Sequence, residues 1–198
     1  MERAIFMDRD GTVSEEIGYM YHTHLYKPFP WTGPAIKKIN ESGMKAVLIT
    51  NQSGVARGYF SEAFVETTHR HISARLEAGG ARVDAYYYCP HHPEGIVPAY
   101  TRRCDCRKPG HAMIDQAARE LGLDPARSFM VGDKWLDIQA GRGAGTRTVL
   151  VRTGLGADEE RHPAAGVTAD AVVDNLAAAV GWILGKLKTQ NLELKTED

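Results

Sequence analysis

The chain has 198 residues, of which 43% are hydrophobic and 25% charged, and its formal net charge is -1 at pH 7. This length suits one domain with a sizeable core, and the near-neutral charge gives no global positive field for holding a nucleic acid or an anionic membrane. Because no apolar run reaches the roughly 18 residues of a membrane span, and the N-terminus lacks a signal-peptide pattern, we expect a cytoplasmic protein with a small-molecule partner.

Six short apolar runs predict strands along the chain. They cover residues 4–7, 46–50, 83–88, 128–132, 148–152 and 169–174. Amphipathic segments between them predict helices at 34–42, 62–78, 111–121, 136–144 and 176–187. This alternation predicts a doubly wound α/β domain, in which helices cover both faces of a mainly parallel sheet. We expect a single domain over 1–188 and a polar C-terminal tail at 189–198, and the absence of an obvious interface stripe favours a monomer.

Polar residues follow three of the predicted strands. The segment "DRDGT" follows the first strand, "NQSGVARG" the second and "DKWLD" the fourth. Ligands of open α/β sheets bind at the carboxyl ends of the strands. These segments are therefore expected to converge in one crevice.

Two carboxylates, Asp8 and Asp10, lie one residue apart directly after the first strand. A carboxylate at a rigid strand end can attack phosphorus and form an aspartyl-phosphate, while a second one protonates the departing alcohol and later deprotonates water. A phosphate dianion beside several carboxylates requires cations, and Mg²⁺ suits such a site because it takes oxygen ligands. Asp133, after the fourth strand, is the expected third acid.

Further candidates for the phosphate site follow other strands and loops. Lys108 in "CRKPG" precedes a predicted helix N-terminus, where anions are favoured. Thr50 and Asn51 end the second strand and offer a hydroxyl and an amide to phosphoryl oxygens. Each pattern alone also fits an ordinary turn, cap or surface residue. Their conjunction, in order and at one edge of the sheet, favours a phosphate site.

The three cysteines, Cys89, Cys104 and Cys106, lie in one loop segment, 89–106. An odd number in a cytoplasmic chain is a poor disulfide framework. Together with His91 they form Cys-x-His and Cys-x-Cys pairs, which can complete a closed tetrahedral Zn²⁺ site with a structural role. The spacing leaves two alternatives open: His92 as the fourth ligand, or three free thiols without a metal.

The segments "DRDGT", "LITNQSG", "CRKP" and "VGDKWLD" resemble, in order and spacing, the four motifs of the haloacid dehalogenase superfamily of phosphotransferases. The resemblance implies that Asp8 is the nucleophile and Asp10 the general acid and base. It implies that Thr50 binds the phosphoryl group and that Lys108 stabilises its charge. It also implies that Asp8, Asp133 and Asp10 hold Mg²⁺, with Asp10 reaching the metal through its main-chain carbonyl.

The cysteine loop before "RKP" is similar to that of the zinc-bearing branch of heptose bisphosphate and histidinol phosphate phosphatases, which implies His91 as the zinc ligand. The histidinol phosphate group typically carries aspartate at the position of Ser53 and arginine at that of Lys134. Both departures favour the heptose group. The implied activity is Mg²⁺-dependent removal of the 7-phosphate from D-glycero-D-manno-heptose 1,7-bisphosphate, and the alternative is histidinol phosphate or another small sugar phosphate.

A bisphosphate substrate brings a second dianion, for which three cations are available. We expect Arg57, Arg107 and Lys134 to bind this substrate together with Asn51 and Ser53, although exposed arginines are usually only solvated. The segment 18–33 is expected to form a flap over the site, because no large insertion suitable for a cap domain is present.

Two questions remain open at the level of sequence. Asp137 fits either an acid that orients Lys134 and other groups near the metal or an acid that stabilises a helix N-terminus. A phosphorelay receiver, which uses similar acids as a slow switch, is an alternative of another class. The spacing of Asp8 and Asp10 and the cysteine loop oppose it.

Overall fold

The computed structural model describes residues 1–196, and its centre is one parallel sheet of six strands. The strands are β1 (Ala4–Met7), β2 (Lys45–Asn51), β3 (Ala85–Cys89), β4 (Phe129–Gly132), β5 (Arg147–Val151) and β6 (Ala171–Val173). Their order across the sheet is β3-β2-β1-β4-β5-β6, and every neighbouring pair is parallel. The predicted doubly wound α/β fold is confirmed.

Helices connect the strands. They are α1 (Thr32–Glu41), α2 (Glu62–Ala78), α3 (Ala112–Leu121), α4 (Trp135–Gly143), α5 (Gly156–Arg161) and α6 (Leu176–Thr196), with short 3₁₀ helices at Thr23–Leu25, Pro98–Tyr100 and Pro125–Arg127. The sequence did not predict α5, which is too short to show a periodic pattern. No helix within 1–196 is both long and apolar enough to cross a bilayer.

The C-terminal helix α6 is longer than predicted. It continues to Thr196 and includes most of the segment expected to be a tail, 189–198, while residues 197–198 lie outside the described part of the chain. The segment 188–196 contains no glycine or proline, and six of its nine residues are lysine, leucine, glutamine or glutamate. Because these residues favour helix and no stop signal intervenes, the helix does not end at residue 187.

Alternating side chains of β1 build the two faces of the core. Ile5 and Met7 belong to one buried cluster, and Ala4 and Phe6 belong to another on the opposite face. The first cluster includes buried residues of α1, α2 and α6, and the second includes residues of α3 and α4. A strand covered on both faces must be apolar throughout, which explains the unbroken hydrophobic run of β1.

The direction of strand order reverses between β1 and β4. Both strands end at the same edge, where Met7 is in register with Val131. Ligands of open α/β sheets bind at such a switch point. The segment between β1 and α1 contains one 3₁₀ helix and no cap domain, and it ends at Trp31, close to the predicted end of the flap.

Candidate active site

A cavity of about 310 Å³ opens at the switch point of the sheet. It is lined by residues that follow different strands and by the start of the flap, and these include Asp8, Asp10, Thr50, Asn51, Ser53, Arg107, Lys108 and Lys134. The predicted convergence of the strand ends therefore occurs. All but one of the expected substrate-binding residues line this cavity.

Lys108 is the cation at the floor of the site, and it is 3% exposed. Its Nζ lies 2.5 Å from Asp8 Oδ1 and 2.6 Å from Asp137 Oδ1, and it donates a hydrogen bond of 3.1 Å to the carbonyl of Ile49. Burial alone would lower the pKa of Lys108, but Asp137 and Asp8 outweigh it and raise that pKa. The lysine is therefore held as an ammonium ion against the carboxylate at the end of β1.

Three buried carboxylates, those of Asp8, Asp133 and Asp137, have oxygen atoms within 4.8 Å of one another. Burial raises the pKa of Asp8 to about 6, with Lys108 opposing and the neighbouring acids adding to the rise. Burial, together with Asp8 and Asp137, raises the pKa of Asp133 to about 8. Such proximity favours a divalent cation, which would stabilise the ionised forms.

The carboxylate of Asp133 has an oxygen that is available to bind a cation. Its Oδ2 accepts a hydrogen bond of 2.9 Å from the main-chain N–H of Leu155, whereas its buried Oδ1 has no hydrogen-bond partner within the described structure. A buried carboxylate oxygen without a partner is costly unless a cation is present. Carboxylate oxygens are ligands that Mg²⁺ prefers, so this group of residues fits that ion.

Two glycines pack closely against Asp133. Gly11 has a φ of 89° and Gly154 a φ of 57°, which is the left-handed region that favours glycine. A Cβ atom at Gly11 would lie 2.1 Å from Asp133 Oδ2, and one at Gly154 would lie 2.3 Å from the same oxygen. The loops after β1 and β5 therefore reach Asp133 only because both positions lack a side chain.

Asp137 combines the two roles that the sequence left open. Its Oδ2 accepts a hydrogen bond of 3.1 Å from the main-chain N–H of Lys134, which caps the start of α4. Its Oδ1 pairs with Lys108. One carboxylate thus stabilises a helix N-terminus and orients the lysine beside Asp8.

The carboxylate of Asp10 is not part of the acidic group around Asp133. Arg9 donates two hydrogen bonds to it, from Nε to Oδ1 at 3.0 Å and from Nη2 to Oδ2 at 2.7 Å. The Nε2 of Gln52 donates to Asp10 Oδ2 at 3.2 Å and also to Thr50 Oγ1 at 2.8 Å. The Asp10 carboxylate is therefore held by Arg9 and Gln52, whereas Asp8, Asp133 and Asp137 form a separate group.

Asn51 is used differently from the expectation of a direct phosphoryl contact. Its Oδ1 accepts a hydrogen bond of 3.0 Å from the Lys108 N–H, and its Nδ2 donates one of 3.1 Å to the Lys108 carbonyl. Both polar ends of the amide are therefore committed to the main chain of Lys108. Asn51 joins the end of β2 to the loop that carries the lysine, although it also lines the cavity.

The cations expected for a second phosphate divide into two groups. Lys134 lines the cavity, and its Nζ lies 2.8 Å from Oε2 of Glu16, which precedes the flap. Arg107 lines it as well. Arg57 does not: its Nη2 lies 3.2 Å from His92 Nε2. The expected substrate contact of Arg57 has no support from this geometry, because the loop after β2 turns that side chain toward the cysteine loop.

The cysteine loop brings four metal-ligand atoms together. The sulfurs of Cys89, Cys104 and Cys106 lie 3.1 to 3.5 Å apart, and His91 Nδ1 lies 3.3 Å from the Cys106 sulfur. His92 is turned away, with its Nδ1 accepting from the Glu94 N–H at 3.1 Å. Three sulfurs and one imidazole nitrogen around a common centre fit a closed Zn²⁺ site, and His91 is the fourth ligand that this geometry favours.

Known proteins of similar sequence identify the family of this chain. A family model described as HAD-hydrolase-like matches residues 105–179. A D-glycero-beta-D-manno-heptose-1,7-bisphosphate 7-phosphatase from Haemophilus ducreyi is 43% identical over 87% of this chain and 96% of the relative. The chain belongs to the haloacid dehalogenase superfamily, in the branch of the heptose bisphosphate phosphatases. A relative of the same name from Escherichia coli K12 is 41% identical over 88% of this chain and 90% of the relative.

Solved structures of this branch share the whole fold. A crystal structure of a D,D-heptose 1,7-bisphosphate phosphatase from B. bronchiseptica, complexed with magnesium and phosphate, matches with a TM-score of 0.83 and 32% identity. The match covers 93% of this chain and 99% of that one. A second one, from Burkholderia thailandensis, matches with a TM-score of 0.69 and 28% identity. The superfamily membership expected from the four motifs is thus confirmed.

Three residues of the site were not identified from the sequence. Arg9 and Gln52 bind Asp10, and Glu16 binds Lys134. Arg9 carried a usable signal, since an arginine between two acids at a buried strand end needs an ionic partner. Glu16 carried none, because its partner lies far along the chain.

Proposed function

We propose that this protein is a Mg²⁺-dependent phosphatase that removes the 7-phosphate from D-glycero-β-D-manno-heptose 1,7-bisphosphate. The observation that carries the chemistry is the buried contact of Lys108 with Asp8, beside Asp133 at the switch point of the sheet. The substrate and its β anomer are supported by relatives that share 41% to 43% identity with this chain.

The first step of the proposed reaction transfers the phosphoryl group to Asp8. A carboxylate oxygen of Asp8 forms a bond to phosphorus, and the bond between phosphorus and the ester oxygen breaks. The electron pair of that bond goes to the ester oxygen, which takes a proton from Asp10. Lys108 and the hydroxyl of Thr50 stabilise the negative charge of the phosphoryl oxygens.

The second step releases inorganic phosphate. Asp10, now ionised, takes a proton from a water molecule whose oxygen attacks phosphorus. The bond between phosphorus and Asp8 breaks, and its electron pair restores the carboxylate of Asp8. The acid of the first step is thus the base of the second, and the enzyme returns to its initial protonation state.

The proposed Mg²⁺ ligands are the carboxylates of Asp8 and Asp133 and the main-chain carbonyl of Asp10. When bound, the ion would neutralise charge between these carboxylates and the phosphate. Zn²⁺ is proposed for the cysteine loop, where Cys89, His91, Cys104 and Cys106 leave no open position, so its role is structural.

The second phosphate of the substrate is proposed to bind near Lys134 and Arg107. Both residues line the cavity, and Lys134 already holds a carboxylate, that of Glu16. Ser53, at the same cavity, offers a hydroxyl to the sugar or to its phosphates. Contact between Arg57 and substrate is not part of this proposal.

We also propose a monomer that acts in the cytoplasm and needs neither nucleic acid nor a membrane. The near-neutral charge of the chain supports this setting, as do the three cysteines, which form no disulfide within the described residues and lie together in a metal-type cluster. Thiols are kept reduced in that compartment.

Phosphate release from a substrate panel tests the proposal. The panel contains both anomers of the heptose bisphosphate, fructose 1,6-bisphosphate and histidinol phosphate, each with Mg²⁺. We expect the highest kcat/KM on the β-heptose bisphosphate, at least about tenfold above the α anomer. A higher kcat/KM on histidinol phosphate would show that the proposed substrate is wrong and that histidinol phosphate is the substrate. A stable aspartyl-phosphate that forms once without turnover would indicate a receiver-type switch.

A further inference from the structure

The carboxylate of Asp10 is held by two residues that have no role in the reaction as described so far. The fork of Arg9 binds both oxygens of Asp10, at 3.0 and 2.7 Å. Gln52 binds one of them at 3.2 Å. We propose that Arg9 and Gln52 are positioning residues that fix the Asp10 carboxylate for proton transfer to the leaving oxygen. This inference rests on the proposed role of Asp10 as general acid and base.

Arg9 cannot act on the substrate directly. It is 2% exposed and is not among the residues that line the cavity, whereas Asp10 lines it. Arg9 therefore reaches Asp10 from the protein side, and Asp10 faces the substrate. Two parallel hydrogen bonds from a planar guanidinium fix the plane of a carboxylate as well as its position. A lysine could neutralise the charge at this place but could not fix that plane.

The buried charge of Arg9 has a single ionic partner in the described part of the chain. The Arg9 guanidinium forms an ion pair with Asp10. Burial would lower the pKa of Arg9, but Asp10 and, to a smaller extent, Asp8 raise it. The turn that follows is closed by hydrogen bonds from the N–H groups of Val13 and Ser14 to the Arg9 carbonyl. The backbone of this turn is thus held independently of the guanidinium, which leaves the side chain for Asp10.

Gln52 connects Asp10 to the phosphate-binding hydroxyl. Its Nε2 carries two hydrogens and donates one to Asp10 and one to Thr50 Oγ1. Because the Thr50 oxygen accepts from Gln52, its own hydrogen is free to be donated to a phosphoryl oxygen. One amide thereby orders the proton donor for the leaving group and the hydroxyl donor for the phosphate.

A positioning role and a purely structural role differ in the step that they affect. A sugar alkoxide is a strongly basic leaving group and needs the proton of Asp10, whereas a nitrophenolate departs without one. The ratio kcat/KM reports only the steps up to departure of the leaving group. A variant that misplaces Asp10 should therefore lose kcat/KM on the sugar phosphate and retain it on p-nitrophenyl phosphate.

The test compares Arg9→Met and Gln52→Ala with the unmodified enzyme on both substrates, with Mg²⁺ present. For Arg9→Met we expect kcat/KM to fall roughly 10- to 100-fold on heptose bisphosphate and less than about threefold on p-nitrophenyl phosphate. For Gln52→Ala we expect a fall on both substrates, because Thr50 also loses its partner, with kcat/KM on heptose bisphosphate falling roughly threefold more than on p-nitrophenyl phosphate. Equal losses on both substrates, or no loss on either, would overturn the inference.

Controls separate this inference from the proposed function. Asp10→Asn must itself lose kcat/KM selectively on heptose bisphosphate. If it does not, the proposed role of Asp10 is wrong. If it does, but Arg9→Met affects both substrates equally, only the positioning inference is wrong. Arg75→Met is the matched arginine control, because Arg75 contacts Tyr26 and not Asp10. If Arg9→Met does not fold, Arg9→Lys, which keeps the charge without the fork, and Gln52→Ala decide the question.

Discussion

Two groups of metal-ligand side chains in this molecule are built in opposite ways. The acidic group of Asp8, Asp133 and Asp137 combines residues after two strands that are distant in sequence, and it lies beside an open cavity. The cysteine group of 89–106 is local in sequence. Oxygen ligands beside a cavity suit a hard cation that meets substrate, and a complete set of sulfur and nitrogen ligands suits a structural ion.

The two groups are connected through Lys108. This residue follows the last cysteine closely in the chain, its main chain is bound by Asn51 at the end of β2, and its side chain ends on Asp8. The cysteine loop therefore positions the main chain of Lys108, and the acidic group positions its Nζ. In the proposed reaction, the acidic group carries the chemistry, and the cysteine group fixes the position of a lysine that the chemistry needs.

The largest effect is expected for a substitution that alters only the acidic group. Asp8→Asn removes the nucleophile, so phosphate release should fall by more than roughly 10⁴-fold. The melting temperature should not fall, since burial and the neighbouring acids disfavour the charge of Asp8, and Lys108 keeps its ion pair with Asp137. Steady-state phosphate release and thermal unfolding measure the two effects, with Asp115→Asn on α3 as a control that keeps activity. Near-normal turnover of Asp8→Asn would remove it as the nucleophile.

The next effect tests how closely the loops approach Asp133. In Gly154→Ala the new Cβ would lie 2.3 Å from Asp133 Oδ2, so the carboxylate must move. We expect activity to fall roughly 100-fold through misplacement, with a higher Mg²⁺ requirement. Gly122→Ala is the matched control, because Gly122 has a similar φ of 63° with nothing within 4 Å of an added Cβ. Equal effects of the two changes would show that backbone strain alone is responsible.

Two adjacent histidines sharpen the assignment of the cysteine group. His91→Ala should lower the affinity for Zn²⁺ by more than about 100-fold and reduce the melting temperature and activity together, because the loop that carries Lys108 loses its anchor. His92→Ala should retain zinc, since that ring faces Arg57 and Glu94. Metal analysis of both purified variants measures the difference. If only His92→Ala lost zinc, His92 and not His91 would be the fourth zinc ligand.

The smallest effect concerns stability outside both groups. His69 is buried with its ring stacked on Tyr86 at 4.7 Å, and burial, aided by Arg9, lowers its pKa to about 3. The unfolded chain therefore binds one more proton between pH of about 6.5 and 3, and the free energy of unfolding falls as the pH falls through that window.

The variant His69→Gln removes this proton uptake. Its free energy of unfolding should depend less on pH below 6.5, by up to about 1.4 kcal/mol per pH unit. Denaturant unfolding at several pH values measures the slope, and His162→Gln, at an exposed histidine, is the comparison variant. Identical slopes for His69→Gln and the unmodified protein would contradict a neutral buried His69.

Much of the fold and part of the site could be predicted from the sequence, for a common reason. Apolar runs locate strands that are buried on both faces, and polar residues after them, such as Asp8 and Asp133, must lie at one edge of a parallel sheet. The rest depends on side-chain directions that no local pattern encodes. Asn51 turned out to bind the main chain of Lys108, and Arg57 turned toward His92 rather than the cavity.

The glycines packed on the acidic group divide the molecule into regions that tolerate change to different degrees. Gly11, Gly132 and Gly154 leave no room for any side chain beside Asp133 and Asp137, so mutation there is blocked by volume alone. The flap residues Gly18 and Tyr19 line the same cavity, and an added Cβ at Gly18 would have no atom within 4 Å. New sugar preferences can therefore be selected in libraries of flap variants, while the machinery for phosphoryl transfer is inherited unchanged.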